Sequence, residues 1–161
     1  MSNFTQIAEF GKELMSMDDI DKTLELVAKK AKKLVDAERC SVFIVDTDDN
    51  MLWTRLSDGI GRIVIALNSG VVGDTYNKQK AQIVNNPYED SRFLGSIDNK
   101  SGFKTESILS IPIFDSKHDV MGVIQLLNKN NGVFDAEDLD RLVFFANYVS
   151  GSIELILMNE H

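Results

Sequence analysis

The residues of this chain that could do chemistry are few, and they favour binding over bond breaking. There are two histidines and one cysteine in 161 residues. His118 falls in a polar turn and His161 is the last residue, so neither is set up as a buried general base. Cys40 as a functional thiol, for chromophore attachment or redox sensing, would need an acid/base partner or a second cysteine. Neither is visible, and a small apolar residue opening a strand accounts for it better. The phosphate-loop, dinucleotide, zincin, paired C-x-x-C and G-x-S-x-G patterns are all missing. The 25 carboxylates fall mostly on expected helix faces and turns, where solvation is the default role. This inventory points to no enzyme, no metal and no cofactor. One short run is of more interest. Gly70-Val71-Val72-Gly73 stands where a helix is expected to begin. Free N–H groups there can hold an anion without any basic side chain. A plain helix start with two glycines for turning accounts for the same residues.

The elements that would position such a site can be read from periodicity. Phe4, Ile7, Ala8 and Leu14 predict a short N-terminal helix, weakened by Gly11. Ile20, Leu24, Val27, Ala28, Ala31, Leu34 and Val35 form one apolar stripe of a second helix. Asp18 and Asp19 at its start and four lysines toward its end suit the helix dipole. Cys40–Val45, Met51–Leu56 and Arg62–Leu67 are runs of β-forming residues, predicting three strands joined by turns at 47–50 and Asp58-Gly59. Val71–Lys78 is a short helix with Ser69 or Gly70 near its N-cap, and Ala81–Val84 a short strand. Tyr88–Lys100 is polar and irregular, long enough for a functional loop with one helical turn. Ile108–Phe114 and Val120–Asn128 are the strongest strands, although Pro112 donates no ladder hydrogen bond. Leu139 to Leu157 is a long amphipathic helix with Asp135 as its N-cap. Adjacent strands flanked by terminal helices predict an α+β fold with an antiparallel sheet.

Composition sets the class. The chain is 43% hydrophobic and 26% charged, with a net charge of −8, ordinary for one globular domain. The acidic balance argues against nucleic acid and against an anionic membrane surface. No apolar run reaches the ~18 residues of a membrane span, and no signal peptide is present. A single cysteine fits a reducing cytoplasm.

The stretch Ser101–Asp138 carries a family resemblance. It runs S-G-F-K-T-E-S-I-L-S-I-P-I-F, a polar turn, V-M-G-V-I-Q-L-L-N-K, a loop and F-D-A-E-D. Asn128, Lys129, Phe134 and Asp138 match an Asn-Lys…Phe-x-x-x-Asp-Glu signature, with Leu139 replacing the final Glu. The chain thus resembles a GAF domain of the kind found in cyclic-nucleotide phosphodiesterases and adenylyl cyclases. The resemblance implies a PAS-related, six-stranded antiparallel sheet with the terminal helices on one face. It implies a single domain over 1–161, with its core at about 18–158 and an N-terminal helix at 1–16.

It also implies a ligand, cGMP or cAMP, and the residues around it. Ser41 would face the base and Asp58 the purine. Val71 and Val72 would present N–H groups to the cyclic phosphate. Leu94 would lie where a tyrosine often covers the ligand. Asp98, Ser101 and Thr105 would close over ribose and phosphate, and Gln125 would contact base or sugar from the floor. Ser57, where some cGMP binders place an aromatic ring, and Leu94 and Gln125 depart from the pattern, leaving the choice of purine open. An amide both donates and accepts, so Gln125 suits either. Phe93 or Phe103 could stack instead, though core packing explains both. Lys129 and Asp138 are implied as an internal ion pair and not as ligand contacts.

Phe144, Phe145, Tyr148, Leu155 and Met158 broaden the apolar surface of the last helix. A homodimer through the terminal helices, signalling to an output domain or partner protein, is the corresponding expectation. Ligand would favour one arrangement of Tyr88–Thr105 and shift those helices. The alternatives are a ligand-free GAF dimerisation module and a GAF sensor of another metabolite.

Overall fold

The computed structural model describes residues 3–57, 63–93 and 104–159. Asp58, Leu94, Asp98, Ser101 and Phe103 lie outside them. Helices α1 (Asn3–Met15) and α2 (Ile20–Val35) are followed by strands β1 (Ala37–Asp46), β2 (Met51–Ser57) and β3 (Val64–Ala66). Helix α3 (Gly70–Lys78), β4 (Gln82–Val84) and a 3-10 turn at Pro87–Glu89 come next. Then come β5 (Ile108–Phe114), β6 (Val120–Lys129) and helix α4 (Ala136–Asn159). The described strands form one six-stranded sheet in the order β3-β2-β1-β6-β5-β4. All its pairings are antiparallel, as expected for an α+β GAF-like fold.

Chemistry sets the boundaries. Asp19 caps α2, its carboxylate accepting from the N–H groups of Asp21 and Lys22. Asp36 ends that helix in the left-handed region at φ 52°. At α4, the Asp135 carboxylate accepts from Asp138 N at 2.9 Å while Asp138 returns the bond from Asp135 N at 3.1 Å. The expected N-cap is therefore half of a reciprocal capping box. β1 opens three residues before the expected Cys40, which lies buried within it. β3 covers only Val64–Ala66. Pro112 is tolerated because β4 pairs only with Ile108–Ser110, leaving β5 with a single ladder partner at Pro112.

The main core lies on one face of the sheet. Cys40, Val42 and Ile44 of β1, Leu109, Ile111 and Ile113 of β5, and Ile124 and Leu126 of β6 are buried under α1, α2 and α4. Phe10 of α1 meets Phe145 of α4 with ring centroids 5.5 Å apart. Phe145 is fully buried, which corrects its placement with the surface residues of that helix. Its neighbour Phe144 does face outward, and adjacent helix positions differ by about 100°. One further correction concerns α4. An 18-residue window of it is long and apolar enough to cross a membrane by length and composition. Its Leu142, Ala146, Val149 and Ile153 instead pack into the core.

Candidate functional site

The opposite face of the sheet carries the chemistry. Ser41 pairs with Gln125, Gln125 with Ser110, and Ser110 with Gln82. Cross-strand partners project to the same side of a sheet. These four polar side chains therefore form one row across β1, β6, β5 and β4. On one side of the row stands an apolar row of Phe43, Val123 and Pro112. On the other stand Leu127, Ile108 and Val84. Gln125 is partly exposed although its strand is central to the sheet, whereas Leu126 beside it is fully buried.

Helix α3 straddles this row. Val72 packs into the cluster of Phe43, Leu52, Val120 and Val123. Val71 packs into the cluster of Val84, Ile108 and Leu127, joined by Phe93. The first turn of α3 thus lies over Ser41, Gln125 and Ser110. Ser69 is its N-cap but makes no side-chain cap bond, and the turn closes through Gly73 N donating to Ser69 O at 2.9 Å. Among the described residues the α3 amides before Gly73 have no acceptor, and they lie at the positive end of the helix. Both glycines are required by geometry. Gly70 sits at φ 72°. A Cβ on Gly73 would lie 2.8 Å from Leu67 O and from the carbonyl carbon of Asn68. One turn later Thr75, fully buried, donates from Oγ1 to Val71 O at 2.9 Å and lies 2.8 Å from Ser110 Oγ. That contact ties α3 to the polar row.

Of the residues expected at a ligand, Ser41 and Gln125 are adjacent partners beneath α3, and Val71 and Val72 are on its first turn. Thr105 is buried two residues before Ser107, where the chain enters β5. That approach is held by Asn128, which sits at φ 60°. Its Oδ1 accepts from Ser107 N at 3.1 Å and from Glu106 N, and its Nδ2 donates to Lys104 O at 2.9 Å. Ser57 pairs with Ser41 through the backbone. Phe93 is half-buried and meets Tyr88 edge-on with ring centroids 4.9 Å apart. The Lys129 ammonium reaches Asp138 Oδ2 at 2.6 Å, and the aspartate side chain is 1% exposed. This pair joins the end of β6 to the start of α4, remote from the polar row.

Ser110, Thr75 and Gln82 went unnoticed in the sequence, and Asn128 entered it only as part of the family signature. A signal existed for Ser110, a hydroxyl inside the otherwise apolar run I-L-S-I-P-I-F. Arg92 was also missed. It joins Asp90, Asp74 and Gln82 at the outer end of the row. The Arg92 guanidinium holds the Asp90 carboxyl down at about 2. Burial pushes Asp74 up, but hydrogen bonds from Gln82, Arg92 and Lys78 outweigh it and leave that carboxyl lowered. Both acids are therefore anionic at neutral pH.

Chemically, backbone donors at a helix start suit an anion, the partly exposed Gln125 amide suits the edge of a heterocycle or sugar, and Phe93 is apolar. The buried Ser110 and Thr75 hydroxyls bond each other. Among the described residues no cluster of His, Cys, Asp and Glu is arranged to hold a metal.

Known proteins resemble this chain in both sequence and fold. A probable 3',5'-cyclic phosphodiesterase of Caenorhabditis elegans is 33% identical over 150 residues, covering 84% of this chain and 20% of that protein. A dual 3',5'-cyclic-AMP and -GMP phosphodiesterase of Takifugu rubripes is 32% identical over 157 residues, covering 84% and 17%. The chain thus spans about a fifth of the length of these relatives. In structure, the GAF domain of a phosphoenolpyruvate-protein phosphotransferase from Coxiella burnetii superposes with a TM-score of 0.85. It is 15% identical, covering 98% of this chain and 96% of that one, a likeness of fold alone. A family model for the GAF domain matches residues 19–153, and the chain belongs to the GAF domain family.

Proposed function

We propose that this GAF domain is a regulatory sensor that binds a cyclic nucleotide, cGMP or cAMP, between α3 and the polar row of the sheet. The observation that carries this reading is the placement of the uncapped first turn of α3 over Ser41, Gln125 and Ser110. Amide donors suit a phosphodiester, and the row suits a purine or ribose edge. The relationship to cyclic phosphodiesterases supports the same ligand class. In this reading Asp58, Leu94, Asp98, Ser101 and Thr105 complete the enclosure. The domain is cytoplasmic and performs no catalytic step itself.

The output runs through the terminal helices. Phe144, Tyr148, Leu155 and Met158 are 42%, 43%, 63% and 64% exposed on α4. With Gly151 they fall at alternating spacings of four and three residues, the period of a helix-pairing seam. A homodimer through these helices would carry the signal to a neighbouring domain or partner protein.

Thermal unfolding tests the ligand, using protein unfolded and refolded to strip any carried-over molecule. Ligand at a hundredfold excess over its dissociation constant stabilises by about 2.7 kcal/mol, and Tm should rise by about 5–10 °C. A rise with cGMP or cAMP but not with small organic acids is the expected result. A flat response to both nucleotides with a dimer by sedimentation would instead assign the domain to dimerisation alone. A response only to an acid would assign it to another metabolite.

A further inference from the structure

We propose that Arg92 positions the anion-facing end of the candidate pocket by clamping α3 to β4 and to the segment after the 3-10 turn. The ligand arm of this proposal rests on the cyclic-nucleotide reading; the structural arm does not.

Three elements meet at one guanidinium. Arg92 Nη1 donates to Asp74 Oδ2 of α3 and to Gln82 Oε1 of β4, each at 2.6 Å. Nε donates to Asp90 Oδ1 at 2.8 Å, and Nη2 to the other oxygen of the same carboxylate at 2.5 Å. Gln82 closes the ring, its Nε2 donating to Asp74 Oδ2 at 3.1 Å and to Thr75 Oγ1 at 2.8 Å. Only a planar fork with donors at fixed angles can serve these partners together; an ammonium on a flexible stem cannot. The side chains of Arg92, Asp74 and Asp90 are 28%, 22% and 18% exposed, so this is not a loose surface pair.

The clamp leads to the pocket by two routes. Asp74 and Thr75 belong to α3 immediately after the first turn that carries Val71 and Val72. Thr75 passes the constraint to Ser110 in the polar row. Phe93, next in the chain to Arg92, packs against the cluster containing Val71. Arg92 thus fixes the height of α3 above the row and the position of the apolar wall together. It touches neither the polar row's Gln125 nor the first-turn amides, and acts through Asp74, Gln82 and Phe93.

Amide hydrogen exchange on the ligand-free chain separates this role from general stabilisation. In Arg92→Ala, exchange across the later α3 amides should accelerate by about tenfold or more while those of α2 and β6 stay within about twofold. Arg92→Lys should restore only part. If Arg92→Ala does not fold, Asp74→Ala removes the α3 anchor of Arg92, together with the Asp74 contacts to Gln82 and Lys78, and should give the same local pattern, with Lys78→Ala as the control that leaves the clamp in place. Equal acceleration throughout, or none in α3, would overturn the proposal. With wild type binding cGMP or cAMP, Arg92→Ala should raise Kd by about tenfold, with Arg92→Lys between. An unchanged Kd beside loosened α3 amides would refute the positioning role. Wild type that binds neither nucleotide defeats the cyclic-nucleotide reading, and the clamp is then decided by exchange alone.

Discussion

The two faces of the sheet are built to opposite rules. On the helix side every inward position of β1, β5 and β6 in the central stretch is apolar and buried. On the α3 side the same three strands place Ser41, Ser110 and Gln125 in the middle, between two small apolar clusters. Burying a polar row costs free energy that an apolar row would gain. The α3 face therefore gives up stability that the helix face must supply. Helix starts follow the same division. α2 and α4 close their first turns with carboxylates, while α3 does not use Ser69 for this purpose. The helix face closes on apolar side chains, whereas the α3 face closes largely on polar contacts among Thr75, Ser110, Gln82 and Arg92.

The sharpest way to break this division is to open the helix side. Phe145 is fully buried and its ring lies tilted against that of Phe10. Phe145→Ala should cost about 3–5 kcal/mol through lost burial and a cavity. Denaturant unfolding measures it, and a loss under about 1 kcal/mol would mean that α4 is not the main support of the core.

Lys129→Ala comes next. It leaves Asp138 with the Asp135 amide and with Arg141 at 3.5 Å, but without its 2.6 Å partner. A loss of about 3 kcal/mol is expected from stranding a buried carboxylate, or a Tm fall of about 6–12 °C. Ligand affinity should change only through stability. Lost binding at an unchanged Tm would move this pair into the site.

How much of this division was visible in the sequence depends on how local its causes are. Runs of β-forming residues between turn signals, and the apolar stripe of α2, exposed the scaffold, because each signal lies within one element. Phe144 and Phe145 could not be told apart, since both lie on a broadly apolar helix and only the sheet decides which is inside. Ser41 and Gln125 were reachable through the family resemblance. Ser110 and Thr75 were not, because their contact joins residues 35 apart. The Arg92 clamp likewise joins residues 18 and 10 apart to a local Asp-x-Arg pair. Polar residues in an apolar strand are visible in sequence; their partners are not.

Acid should weaken the α3 side through that clamp. Asp90 has an ordinary value of 3.8 and is held at about 2 in the fold. A depressed folded value gives stability that is complete above the unfolded pKa and lost as pH falls through the folded one. The effect should develop from about pH 4.5 down to about pH 2, and reach at most about 2 kcal/mol after allowance for partial solvent screening. Other carboxylates titrate in the same window, so the informative quantity is the difference between wild type and Asp90→Asn. That gap should narrow as pH falls from 6 to 3 in urea unfolding. A constant gap would show that Asp90 is not coupled to folding.

The smallest effect on stability should come from the residue that matters most to the proposed ligand. Gln125 and Leu126 are chain neighbours on opposite faces. Leu126→Ala should cost about 2–5 kcal/mol. Gln125→Ala should change stability by about 1 kcal/mol or less, because its partly exposed, uncharged amide leaves no sealed cavity and no stranded charge. Its consequence should appear in binding, as a loss of about tenfold or more in affinity for cGMP or cAMP from one missing hydrogen-bonding group. Titration calorimetry on both variants decides the matter. A Gln125→Ala protein that is destabilised like Leu126→Ala would make the polar row part of the core. One that is stable yet binds as wild type would move the ligand away from the centre of the sheet, toward the two apolar clusters beside it.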